Sequence, residues 1–241
     1  MNYFLIALLS CSIGSFVGLG GDIIIIPLLL SLGIPKALIS INTDLTMLFM
    51  TFMSTFIYRK RHQGDFKTAV LIAIGIIPGA SLGVYINSFI TVHIFNLFFI
   101  ILLFILIFIM FFEKRLPKII LPNWTKPFVG LSIGIISGLF GLGGAIMLIP
   151  ILLIFYGFDQ KGASATTLSL IFISTFITVS NYYFRGYHNL TYCIFMIPGA
   201  LLGSKIGTFF NKKASNELIS LSFKLILIGI FIKQLIMLFY I

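Results

Sequence analysis

The chain has 241 residues, 59% of them hydrophobic and only 9% charged, with a formal charge of +10 and a mean hydropathy of +1.16. Soluble domains carry about a quarter charged residues, and a water-soluble fold of this size cannot hide so much apolar surface, so the composition describes an all-α polytopic membrane protein. The basic residues sit in short loops, with Arg59, Lys60, Arg61 and Lys67 in one and Lys114, Arg115, Lys118 and Lys126 in another. That is the pattern of cytoplasmic loops. It lacks the interleaved aromatics of a nucleic-acid surface, so no nucleic-acid partner is expected.

In chain order, the apolar run 3–19 has no Lys or Arg ahead of it and leads straight into "GLGG", so it reads as a retained helix and not as a signal peptide. A short apolar segment, 22–33, follows the glycines, and then come 38–58, 67–90 and 92–112. The hydrophilic stretch 113–127 joins this half to a second one, in which 128–142 and 145–157 flank another "GLGG" and 164–184, 190–211 and 215–241 follow. The expected organisation is a transmembrane repeat over 1–112, a cytoplasmic linker over 113–127 and a second transmembrane repeat over 128–241. Cys11 and Cys193 both lie in apolar segments and imply no disulfide.

The duplication rests on four blocks in the same order. "VGLGGDIIIIP" ending at Pro27 matches "FGLGGAIMLIP" ending at Pro150, and Thr43 in "INTDL" matches Thr166 in "SATTL", both pairs 123 residues apart. "STFI" at Ser54 recurs at Ser174, and "IPGASLG" from Ile77 recurs as "IPGALLG" from Ile197, both 120 apart, which places a three-residue slip in a loop.

The segment after each glycine knot is too short to span a bilayer, because about 12 residues of helix rise only about 18 Å. Each half therefore reads as a broken or re-entrant helix pair plus about three transmembrane helices. Charge placement favours inverted repeats, with 211–217 cytoplasmic and 185–189 external; a parallel repeat of four spans each is the alternative.

A helix that starts at a glycine knot points unpaired backbone N–H groups and its positive dipole end at the knot, which makes an anion site without a side-chain charge. Two such half-helices at a repeat interface are a recurring substrate site of secondary transporters. The expected site is Gly20, Gly21, Asp22 and Ile23 with Gly143, Gly144, Ala145 and Ile146, assisted by the hydroxyls of Thr43, Thr166 and Thr167.

"GLGGxxxxP", a "TxL" element and "PGAxLG", present in both halves, resemble the sulfite exporter TauE/SafE family of membrane permeases over essentially the whole chain. The resemblance implies a duplicated secondary transporter of the cell inner membrane that moves a small anion, such as sulfite, thiosulfate or an organosulfonate, by alternating access. Its motif falls on Gly20, Gly21, Thr43, Gly143, Gly144, Thr166 and Thr167. Two positions depart from it: Asp22 stands where the family places a small neutral residue, and Asp44 where it places serine. Asp22 reads as a helix-capping residue, either acid reads as a proton carrier, and the pair together reads as a cation site.

The alternative function is therefore a proton- or sodium-coupled cation transporter using Asp22 and Asp44. An intramembrane aspartyl protease is disfavoured because its GxGD signature is "LGGD" here, and Ser137 lacks a GxSxG context. No enzyme activity and no cofactor are expected: the chain has no GxxxxGK[ST] loop, and His62, His93 and His188 have no metal-ligand spacing. Lys224 and Lys233 read as snorkelling residues, with Lys205 close behind "PGALLG". The expected partners are a small anionic substrate and membrane lipid, with a homodimer left open.

Overall fold

A computed structural model describes residues 3–34, 36–87, 89, 92–113, 120–140, 145–184 and 190–239. The described residues form ten α-helices and one 3-10 turn, Asn123–Thr125, with no strand among them. The first half contains α1 (Tyr3–Val17), α2 (Asp22–Ser31), α3 (Lys36–Lys60), α4 (Phe66–Asn87) and α5 (Val92–Phe112). The second contains α6 (Lys126–Phe140), α7 (Ala145–Phe155), α8 (Gln160–Phe184), α9 (Thr191–Lys213) and α10 (Asn216–Phe239). Stretches within α4, α8, α9 and α10 are long and apolar enough to cross a membrane.

The halves match helix for helix. α1 and α6 have 15 residues each, α2 and α7 have 10 and 11, and α3 and α8 have 25 each. Equivalent helices begin at Tyr3 and Lys126, Asp22 and Ala145, Lys36 and Gln160, Phe66 and Thr191, Val92 and Asn216, always 123 to 125 residues apart. The 120-residue offset of "IPGASLG" and "IPGALLG" is therefore not a slip in a loop. The two motifs sit about one helical turn out of step on equivalent helices.

Acidic caps set two of the matched starts. Asp65 accepts from the N–H of Lys67 at 2.9 Å and from the Thr68 hydroxyl, opening α4. Asp159 accepts from the Gly162 N–H at 2.9 Å and opens α8. Each satisfies a donor that the first helical turn leaves without a partner.

The helices pack into two compact units that cut across the halves. Unit 1 is Met1–Ala69 with Ser164–Ser215, and unit 2 is Val70–Ala163 with Asn216–Ile241. In unit 1 the α9 glycines Gly199, Gly203 and Gly207 lie on the α1 backbone at Phe4, Leu8 and Ser12, where any Cβ would run into a carbonyl oxygen. In unit 2 the α4 glycines Gly75, Gly79 and Gly83 lie in the same way on Pro127, Leu131 and Ile135. Small residues at four-residue spacing let helix backbones touch, which is how apolar helices associate in lipid. Each first helix thus receives its glycine ladder from the opposite half.

Within unit 1, α3 and α8 run antiparallel. The loop after α3 places the Asp65 N–H on Thr166 Oγ1 at 2.9 Å, near the α8 start, while Phe52 meets Phe172 farther along, with ring centroids 5.8 Å apart. The ends of α3 and α9 share one end of the unit, where Arg61 Nη1 donates to the Thr208 carbonyl at 2.7 Å. The side chains of Arg59, Lys60, Lys212 and Lys213 are exposed in these two segments.

Two outcomes are expected. Gly79→Ala and Gly203→Ala each force a Cβ onto a carbonyl oxygen and cost about 1–3 kcal/mol, read as a lower melting temperature of the purified protein in detergent; an unchanged melt would refute the ladder contact. Cysteines placed at Lys60 and Lys213 will react with a membrane-impermeant thiol reagent from the same face, the cytoplasmic one. Labelling from opposite faces would contradict the shared basic end.

Candidate functional site

The first glycine knot ends one helix and starts another inside unit 1. Breaking a helix leaves its last four carbonyls without intrahelical donors, and lipid supplies none. All four α1 carbonyls find one. Gly14 O accepts from Gly18 N and Leu19 N at 2.8 and 3.1 Å. Ser15 O accepts from Tyr58 Oη at 2.9 Å, Phe16 O from Asn211 Nδ2 at 2.7 Å and Val17 O from Ser164 Oγ at 2.6 Å. A buried hydroxyl chain reinforces this end, with Ser54 within 3.1 Å of Ser15 and 3.0 Å of Ser204.

The turn itself requires glycine. Gly18 and Gly20 have φ of +96° and +86°, in the left-handed region that side chains avoid. Gly18 also lies flat against Ser164, where a Cβ would approach the serine Cα to 2.5 Å.

The second helix then begins at Asp22. Gly21 N–H points at the Met47 sulfur at 3.2 Å, and the Gly21 carbonyl accepts from Ile24 and Ile25. Asp22 Oδ1 accepts the Ile23 N–H at 3.0 Å, and the bare α-carbon of Gly20 leaves room for it, since a Cβ there would stand 2.8 Å from that oxygen. A carboxylate at the first turn also complements the helix dipole.

The α2 start lies level with the middle of α3 and α8. Met47 is thirteen residues before the α3 terminus at Lys60, which is about 20 Å along the helix axis. Ile171, whose Cδ1 would be 3.6 Å from a Cβ on Gly20, is the twelfth of the 25 residues of α8.

Two buried hydroxyls stand one helical turn from these contacts. Thr43 is one turn before Met47 on α3, and Thr167 lies between Ser164 and Ile171 at the three- and four-residue spacings that share a helix face. Thr43 is 1% exposed and Thr167 is 0% exposed, and neither Oγ1 has a hydrogen-bond partner among the described residues. Their neighbours behave differently. Thr46, Thr51, Ser169 and Thr175 each bond a carbonyl one turn back, the usual fate of a hydroxyl in a membrane helix. Thr55 Oγ1 and Ser174 Oγ, farther along their helices, also have no partner among the described residues.

The structure thus brings Gly20, Gly21, Asp22, Ile23, Thr43, Asp44 and Thr167 into one unit, with the Asp22 and Asp44 carboxyls within charge range of each other. Thr166 belongs to the same unit but spends its hydroxyl on the Asp65 N–H. Ala145 and Ile146 are buried at the start of α7 in unit 2, and Gly143 and Gly144 lie outside the described residues. So do Lys114, Arg115, Lys118 and the segment 185–189.

Sequence reasoning passed over Met47, Tyr58, Ser164 and Asn211, which serve the knot from residues 26 to 195 positions away. Cys11, which the apolar segment places in the interior, is buried, and a Cβ on Gly21 would come within 3.0 Å of its sulfur. Three of the six acids, Glu113, Asp159 and Glu217, line a separate recess of about 330 Å³ in unit 2. Two of these three stand at the starts of α8 and α10.

Comparison with known proteins agrees with this architecture. The profile of the family described as "Sulfite exporter TauE/SafE" matches residues 3–234. The chain is 28% identical to "Probable membrane transporter protein YunE" of Bacillus subtilis, over 92% of each protein. It is 26% identical to "Probable membrane transporter protein MJ0441" of Methanocaldococcus jannaschii, over 84% of this chain and 83% of that one. No solved structure matches. The helices, their apolar composition and a match along nearly the full length agree, and the chain is an integral membrane protein that belongs to the sulfite exporter TauE/SafE family.

Proposed function

We propose that the chain is a secondary permease of the cell inner membrane that moves a small sulfur oxyanion (sulfite, thiosulfate or an organosulfonate) by alternating access. The observation that carries this reading is that Thr43 and Thr167, each one helical turn from a residue that lies against the first glycine knot, hold buried hydroxyls with no partner among the described residues. An unsatisfied hydroxyl in an apolar interior costs about 1–3 kcal/mol. A protein that holds two of them at one place has a use for them, and an anion's oxygens accept O–H hydrogen bonds well. Membership of the family supports a permease, and the antiparallel course of α3 and α8 supports an inverted repeat. The energy source is an ion gradient or the substrate's own.

A second reading, a proton- or sodium-coupled cation transporter, draws on the nearness of Asp22 and Asp44. Flux in proteoliposomes separates the two. Movement of radiolabelled sulfite supports the anion permease, whereas movement of a monovalent cation with no anion overturns it. If exchange survives in Asp44→Asn but loses its dependence on pH, Asp44 is the proton carrier.

The hydroxyls make a sharper prediction. Thr43→Val and Thr167→Val each remove an unsatisfied group, so each is expected to raise thermal stability by about 1 kcal/mol while lowering sulfite flux about tenfold. Thr46→Val, whose hydroxyl is spent on the Asn42 carbonyl, should leave flux near that of the unaltered protein. Equal flux in all three variants would remove Thr43 and Thr167 from the site.

A further inference from the structure

We propose that the Asp22 carboxylate is a tethered stand-in for the substrate, occupying the α2 N-terminus in the empty protein and displaced when the anion binds. The inference rests on the anion-permease reading and adds to it how the empty site is kept closed.

A free helix N-terminus in a membrane interior is as unstable as a free C-terminus, because its N–H groups have no water to bond. At the C-terminal side of the knot the protein meets this need with fixed partners from α3, α8 and α9. At the N-terminal side it uses a charge carried on the helix's own first residue. Asp22 Oδ1 bonds the Ile23 N–H and rests over the bare α-carbon of Gly20, the place an incoming oxyanion would need. The Gly21 N–H donates to the Met47 thioether, a weak acceptor. An anion that reaches this point finds a like charge already bonded there and must replace it.

The two hydroxyls complete the picture. Thr43 and Thr167 stand one helical turn from Met47 and Ile171, which lie against Gly21 and Gly20, and neither hydroxyl has a hydrogen-bond partner among the described residues. A stand-in that used every donor would bind as well as the cargo and never leave. One that leaves two hydroxyls unmet is outcompeted by a ligand with more oxygens. The second half has Ala145 at the matching position, which has no acceptor on its side chain, so the device belongs to the first knot alone.

A residue acting only as a helix cap would behave differently. Asp22→Asn keeps an oxygen for the Ile23 N–H and removes the charge. A cap would lose little and leave substrate affinity alone, whereas a competitor, once neutral, should let the substrate bind more tightly and leave more slowly.

The test uses the full chain in proteoliposomes with radiolabelled sulfite, comparing the unaltered protein with Asp22→Asn, and with Asp22→Ser should the first variant fold poorly. The expected result is a half-saturation concentration lowered about tenfold, the scale of one charge-assisted hydrogen bond, together with a lower maximal rate. A half-saturation that is unchanged or raised, in protein that melts near the normal temperature, overturns the displacement and leaves the permease reading standing. If no sulfite moves in any of the proteins, the permease reading falls and the displacement falls with it.

Discussion

A helix broken inside a membrane has to find every hydrogen bond it gives up within the protein, and unit 1 is organised around that need. The α1 terminus offers four carbonyls, which are met by the turn itself, by Tyr58 of α3, Asn211 of α9 and Ser164 of α8. Unmet, each would cost on the order of several kcal/mol in hydrocarbon, which is comparable in sum with the whole stability of a domain. The polar residues of α3 that interrupt its apolar run, Ser54 and Tyr58 among them, therefore have a structural purpose before any functional one. This purpose does not account for Thr43 and Thr167, nor for Thr55 and Ser174 farther along the same helices.

The second organising contact is the glycine ladder. Because each first helix is clasped by a helix of the other half, the internal duplication yields two units that each need both copies. Backbone contact at Gly199, Gly203 and Gly207 fixes α9 against α1 closely enough to carry Asn211, one turn farther on, to the Phe16 carbonyl. The ladder thus sets the position of a partner on which the broken helix depends. A loss of packing at a glycine would be felt as a loss of hydrogen bonding at the knot.

Much of this was legible in the sequence, and the limits of legibility are physical. Helix existence and most boundaries follow from apolar run length, and the first knot falls where its "GLGG" places it. α5 starts and ends at Val92 and Phe112 as the apolar run does, and α8 extends four residues earlier than the pattern because Asp159 caps it. The glycine motif was visible, but its partner was not: four-residue spacing announces a close contact without saying which helix makes it. The exchange of helices between halves was unreadable for the same reason, since it joins residues 52 positions apart in unit 2 and 195 apart in unit 1. Similarity of "IPGASLG" and "IPGALLG" suggested a register that the packing does not follow, because either ladder can slide by a turn and still present a glycine face. Asp22 was recognised as a cap candidate, while the thioether of Met47 and the bareness of Gly20 that shape its pose became visible only in three dimensions.

The bond between Asn211 and the Phe16 carbonyl spans 195 residues. A ribosome adding roughly 5–20 residues per second needs about 10–40 s to make that much chain. For all of that time the first hairpin has left the ribosome with one of its carbonyls unanswered, and Ser164 closes a second only part of the way through. The nascent segment must wait in a wet or protein-lined place, such as the insertion machinery, and partition fully into lipid only when α9 arrives. Assembly of unit 1 is in this sense a late, concerted event that waits for α9.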